Sequence, residues 1–178
     1  MLIRASEYRE APWKNGGGLT HEIAADDFTP PAWRVSIARI DRDGPFSDFS
    51  GYDRTIVALD GGAVTLNVGG ENITLQPNAP YRFVGEANVS AMVAAPARDL
   101  NVMTLRSEYV HDVEIVDSPA RFVLDEDEFA LIYAIGGAVA VDGEPCAADD
   151  TVAIEDTHAF GVVPTTGAAA CVIRITPL

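Results

Sequence analysis

Apolar and polar residues alternate at every second position through a series of short runs, among them LTHEIA, WRVSIARI, RTIVALDG, AVTLNVGG, ENITLQP, YRFVG, NVSAMVA, LNVMTLR, ALIYAIGG, TVAIED and CVIRITP. Period-two alternation is the mark of half-buried strands, and helical spacing is nearly missing. Gly-Gly, Asp-Gly, Pro-Asn and Glu-Asp steps close most of the runs, and these are residues that accept the backbone geometry of turns. Short strands at close spacing predict a sandwich or barrel and argue against βαβ units. The predicted fold class is all-β.

A longer pattern overlies the alternation. Residues 55–68 read TIVALDGGAVTLNV and residues 130–143 read ALIYAIGGAVAVDG, with the diglycines 61–62 and 136–137 in register. Each copy continues through a turn into an apolar strand, TVAIED resembling NITLQP. Two successive related β units account for this, although strand, Gly-Gly, strand also describes any hairpin. Residues 1–178 are expected to form one unit of two lobes, roughly 1–108 with an N-terminal motif loop and roughly 109–178, the smaller lobe, completed by N-terminal strands that cover exposed edges. The run Asp125, Glu126, Asp127, Glu128 is expected to be a solvated turn.

Charge and composition narrow the function. With 12 Lys+Arg against 27 Asp+Glu, the formal net charge is −15, which repels nucleic acid and anionic membrane surfaces. No window approaches the apolar length of a membrane helix and the N-terminus has no signal-peptide core, so a cytoplasmic protein is expected. Cys146 and Cys171 form no CxxC and have no neighbouring histidine; both are expected to be buried apolar residues. His21, His111 and His158 are widely separated, and neither a metal nor another cofactor is expected.

Candidate chemistry gathers in the first half of the chain. PWKNGGGLTHE, residues 12–22, holds three glycines, which are costly to order unless the backbone must approach something closely. Strand alternation places Leu19, His21 and Ile23 on one face and Thr20, Glu22 and Ala24 on the other; it likewise separates Trp33, Val35 and Ile37 from Arg34, Ser36 and Ala38. GPFSDFSGYDR, residues 44–54, sets Phe46 and Phe49 ahead of Arg54, as cover for a barrel mouth or as core plugs.

These segments resemble the HutD/Ves group of bicupin-type proteins. The resemblance rests on W-K-N-G-G-G-x-T-x-E at 13–22, W-R-x-S-I-A at 33–38, G-P-F-S-x-F-x-G-x-x-R at 44–54, L-x-G-G at 59–62, P-Y-R-F at 80–83 and L-N-V-M-T at 100–104. It covers most of residues 12–106 and fades after Tyr109. It implies two cupin-like, jelly-roll barrels in one chain without the usual metal triad, in a group associated with bacterial histidine utilisation. It further implies a small carboxylate ligand, such as urocanate or a formyl- or formimino-glutamate, bound so as to tune that pathway.

On this resemblance Trp13 walls the site, Lys14 and Asn15 offer a charge and an amide, and the glycines bring backbone N–H groups near an anion. Thr20 and Glu22 face inward, Arg34 or Arg54 forks onto the ligand carboxylate, and Ser36 and Asn101 are weaker additions. The same residues also describe a buried structural pair, Glu22 with Arg34 or Arg54, that fixes strand register. Two other classes stay open: a cofactor-free isomerase or lyase with Glu22 as general base, and a scaffold for another protein. A homodimer is a further expectation, from exposed barrel edges.

Overall fold

The computed structural model describes residues 1–13, 16–155 and 157–178. Its elements are strands β1 (Leu2–Ile3), β2 (Arg9–Pro12), β3 (Gly18–Ala25), β4 (Trp33–Ile40), β5 (Gly44–Pro45), β6 (Tyr52–Gly61), β7 (Val64–Val68), β8 (Glu71–Thr74), β9 (Pro80–Val84) and β10 (Val89–Val93). There follow β11 (Ala97–Leu105), β12 (Tyr109–Val116), β13 (Ala120–Val123), β14 (Phe129–Ile135), β15 (Val139–Val141), β16 (Glu144–Cys146), β17 (Thr151–Ile154), β18 (Ala159–Pro164) and β19 (Ala169–Pro177), with one 3-10 turn at Ala5–Glu7. Among the described residues no helix is long and apolar enough to cross a membrane. The chain is all-β, as its alternation predicts.

Contacts divide the chain into two units, Arg9–Glu108 and a second made of Met1–Tyr8 with Tyr109–Leu178. In the first, one sheet has the order β2-β3-β4-β11-β6-β9 and the other β5-β10-β7-β8; in the second the orders are β1-β17-β14-β19-β12 and β13-β18-β15-β16. Matching β4 through β11 one for one with β12 through β19 reproduces every neighbour relation between the sheets. Each set is an eight-stranded jelly roll. What differs is the added edge: β2 and β3 extend the first roll beside β4, and β1 extends the second beside β17. All eight strands of the second roll lie within Tyr109–Pro177.

The diglycine segments of the internal repeat are not hairpins. β6 pairs with β11 and β9, whereas β7 pairs with β10 and β8. Likewise β14 belongs to one sheet of its roll and β15 to the other. Each Gly-Gly is therefore a corner where the chain leaves one sheet for the facing one. Gly61 has φ +91°, and a Cβ there would stand 2.4 Å from the Pro96 carbonyl oxygen, while one on Gly62 would stand 2.4 Å from that of Ala95. The true hairpins come next, at Gly69–Gly70 and Asp142–Gly143, where both central residues have positive φ, the arrangement that matches strand twist in two-residue turns. By position TVAIED answers to the PYRFV strand β9, and ENIT answers to the short β16. The sequence likeness of TVAIED to NITLQP comes from apolar alternation shared by unlike positions.

Each roll has its own core between its sheets. In the second, Ala130, Ile132 and Ala134 of β14 meet Val139, Val141, Phe160 and Val162, with Cys146 also inside, while Arg174 and Asp112 continue the row of Ala130. Phe122 and Phe160 stack at 5.3 Å. Both cysteines are free and buried. In the first roll Ile40, Ile56, Val64, Leu66, Leu75, Phe83, Val89, Ala91 and Ala97 form the core. The acidic run 125–128 is a turn in which the Asp125 N–H donates to Glu128 Oε2 at 3.0 Å.

Ala substitution at Gly61 or Gly62 is expected to destabilise the protein by about 1–3 kcal/mol, from left-handed strain or backbone collision. Gly69→Asn, at a φ of +58° with no atom within 4 Å of an added Cβ, should be near neutral. Urea denaturation of the three variants checks this; equal losses at all three positions would contradict the corner geometry.

Candidate functional site

The strand register of the first roll sorts its inward side chains into rows. Met103 of β11 lies between Arg34 of β4 and Arg54 of β6, Asn101 lies between Ser36 and Ile56, and Asp99 between Ala38 and Ala58. Phe83 of β9 continues the first row beside Arg54, and Thr20 of β3 continues the third beside Ala38. Of these rows Thr20, Arg34, Ser36, Arg54, Asp99, Asn101 and Met103, together with Trp13, Phe46 and Phe49 from the connecting segments, line a cavity of about 490 Å³, a size suited to a small organic molecule.

Arg54 dominates this space. It is only 4% exposed, and its guanidinium carbon sits 5.3, 5.2 and 4.9 Å from the ring centroids of Phe46, Phe49 and Phe83. The rings supply a cation–π environment where water would otherwise solvate the charge. Burial lowers the Arg54 pKa from its usual value to about 10, with Asp99 acting to raise it and Arg34 to lower it further. The group remains a cation at neutral pH. Its Nε has no hydrogen-bond partner among the described residues.

Asp99 was not singled out from the sequence. It is 1% exposed and lines the cavity, and burial raises its carboxyl pKa to about 7 against the opposing attraction of Arg54. Asp99 Oδ2 and Asn101 Oδ1 are buried and lack hydrogen-bond partners among the described residues. Alternation along LNVMTLR was the available clue, since ARDLNVM puts Asp99, Asn101 and Met103 on one face.

Glu22 occupies a different position from Arg54. It pairs across strands with Ser36, with Arg9 Nη2 at 2.7 Å from Oε1 and Arg34 Nε at 2.8 Å from Oε2. The Arg34 Nε approach is close but does not align as a hydrogen bond, since that atom has no hydrogen-bonded partner among the described residues. Glu22 does not line the cavity; it tethers Arg34, which does. Arg54 is grouped instead with Asp99. Strict alternation in β3 also fails beyond Glu22: a bulge skips Ile23, so Ala24 pairs with Val35 and not on the face of Thr20 and Glu22. The extra residue reverses facing from that point.

The N-terminal motif packs against the same cavity. Trp13 Nε1 donates to Thr20 Oγ1 at 2.9 Å, and the Trp13 ring meets Phe46 edge-on at 6.5 Å. Gly18 permits this closeness, because a Cβ there would lie 2.2 Å from the Arg39 carbonyl oxygen and 3.1 Å from the Trp13 ring. Lys14 and Asn15, both expected ligand contacts, lie outside the described residues. The structure thus gathers Trp13, Thr20, Arg34, Ser36, Arg54 and Asn101 around one cavity, with Glu22 behind Arg34.

The lining does not suit the metal that many jelly-roll proteins carry. Among the described residues it has no histidine or cysteine and one carboxylate, beside two guanidinium groups, whereas metal sites of this kind need several neutral imidazoles or anions. Among the described residues no cluster of three His, Cys, Asp or Glu side chains could hold a metal ion.

Two jelly rolls in tandem, one holding a cavity with buried arginine and aspartate, define a bicupin. The model for the family described as HutD matches residues 5–172, and the chain belongs to the HutD family. The 21.2 kDa protein of the hutC 3′ region of Pseudomonas putida is 36% identical over 146 residues, covering 79% of this chain and 76% of its own. Protein Ves of Citrobacter koseri is 36% identical over 134 residues, 71% of this chain and 68% of its own. The solved structure of HutD from Pseudomonas fluorescens SBW25 superposes with a TM-score of 0.91 at 32% identity, covering 100% of this chain and 98% of that one.

Asp99 gives the fold a pH signature. A carboxyl raised by folding contributes stability that is whole below its unfolded pKa and is lost as pH climbs through the folded value. The loss therefore runs from about pH 4 to about pH 7. Asp99→Asn, which cannot ionise, is expected to gain on the wild type across that window by on the order of a few kcal/mol and to hold the gain above it. Thermal melts of both proteins from pH 4 to pH 9 check this; a constant difference would show that Asp99 does not titrate there.

Proposed function

We propose that the first roll binds a small organic carboxylate of histidine degradation, urocanate or a formyl- or formimino-glutamate, and that this binding tunes the pathway. The observation that carries the reading is Arg54: a buried guanidinium beneath three phenylalanine rings, facing a cavity, with an N–H that has no hydrogen-bond partner among the described residues. A carboxylate supplies the charge and acceptors that such a group lacks. The family association with histidine utilisation, and the hutC-region relative, indicate the pathway. The rings and Met103 offer apolar walls for the rest of the ligand.

Glu22 fits a positioning part in this scheme. Both its oxygens are engaged by arginines, which fixes Arg34 at the cavity and leaves the carboxylate poorly placed to abstract a proton.

Calorimetry with urocanate and N-formyl-L-glutamate tests the reading, with NMR of the same mixtures to detect turnover. Saturable heat without new ligand resonances is expected, and Arg54→Gln should weaken binding by at least ~10-fold, the loss of a charge-assisted contact. Arg174→Gln, which removes a pair with Asp112 in the other roll, should leave affinity unchanged. Absence of heat with both ligands would overturn the proposal, and product resonances would replace a binding role with catalysis.

A further inference from the structure

Beyond its cations the cavity holds a second kind of unmet chemistry. Asp99 Oδ2 and Asn101 Oδ1 are buried acceptors without hydrogen-bond partners among the described residues. They stand on consecutive inward positions of β11, one and two rows from the row of Arg34, Met103 and Arg54, roughly 7 Å of strand per step. Desolvated acceptors are costly unless something donates to them. The site thus has donors at one end and acceptors farther along.

The other roll shows that this pattern is not demanded by the fold. Its pairs Ile132↔Val172 and Ala134↔Ala170 occupy the inward places of Ile56↔Asn101 and Ala58↔Asp99, and they are wholly apolar. At those two places a jelly roll of this topology closes its interior without an aspartate or an asparagine.

The geometry points to Asp99 and Asn101 as the residues that select a ligand carrying an N–H group at the end away from its carboxylate, an imidazole or an amide-type nitrogen, over an equally charged carboxylate without one. This assignment rests on the carboxylate-binding reading above and names the second half of the ligand. The arginines hold the anionic end, and Asp99 and Asn101 accept from the nitrogen.

Matched ligands separate the two claims. Calorimetry compares urocanate with 3-(furan-3-yl)acrylate, and N-formyl-L-glutamate with glutarate, on the wild type, Asn101→Leu and Asp99→Leu, each variant first checked for a cooperative melt. At least one N–H ligand is expected to bind the wild type ~10-fold or more tightly than its partner, the scale of an unpaired buried polar group. That preference should shrink to within ~3-fold in Asn101→Leu. Equal binding within both pairs on the wild type would overturn this inference while leaving the carboxylate site standing. Failure of all four acids to bind would remove both. Should a variant fail to fold, the wild-type comparison alone decides.

Discussion

A guanidinium held inside a protein must be given an environment, and the first jelly roll is organised around giving one to Arg54. Taking such an ion out of water costs on the order of several kcal/mol before compensation. Here the compensation comes from Phe46, Phe49 and Phe83 around the cation and from Asp99 within electrostatic reach. Two of those rings arrive on the segment between β5 and β6, so the loop just ahead of Arg54 in sequence also covers it. Once that charge is inside, the interior cannot be sealed with aliphatic side chains alone, and the polar residues on β4 and β11 follow from the same requirement.

The second roll shows what the topology becomes without that charge. Its strands connect in the same order and make the same pairings, yet Ala130, Ile132 and Ala134 line the strand that answers to Arg54, Ile56 and Ala58. Stacked phenylalanines and a buried cysteine fill the middle. The second unit fills the middle of its roll with packed side chains, and the first leaves part of its interior as a cavity.

Much of this was legible in the alternation of residues. The all-β class follows from period-two patterning and turn residues, and the same alternation puts Arg34, Ser36 and Ala38 on one face without deciding whether that face meets solvent or a pocket. The unread parts trace to single extra residues. In β6, Leu59 is skipped, Arg98 pairing with Asp60 and Asp99 with Ala58. The diglycine alignment therefore matches Ile56 with Leu131, when Ile132 is its counterpart inside the roll. The skip at Ile23 misplaced Ala24 in the same way. Asp99 stayed hidden because a lone aspartate after Arg98 reads as surface charge; only burial distinguishes it. The partner of Glu22 was undecidable between Arg34 and Arg54 until register put Glu22 beside Ser36, one step from Arg34.

The eight residues before β2 belong with the roll encoded last. Leu2 and Ile3 pair with Val152 and Thr151, the Tyr8 hydroxyl donates to the Asp149 carbonyl at 2.7 Å, and the Ala5 N–H donates to Asp150 Oδ1 at 2.8 Å. During synthesis on the ribosome, residues 9–108 emerge with all the strands of their roll in hand, while the leading segment waits for some 140 further residues before its partners exist. Vectorial folding thus completes the cavity-bearing roll first, and the opening strand joins as a late clasp whose docking reports that translation has passed β17.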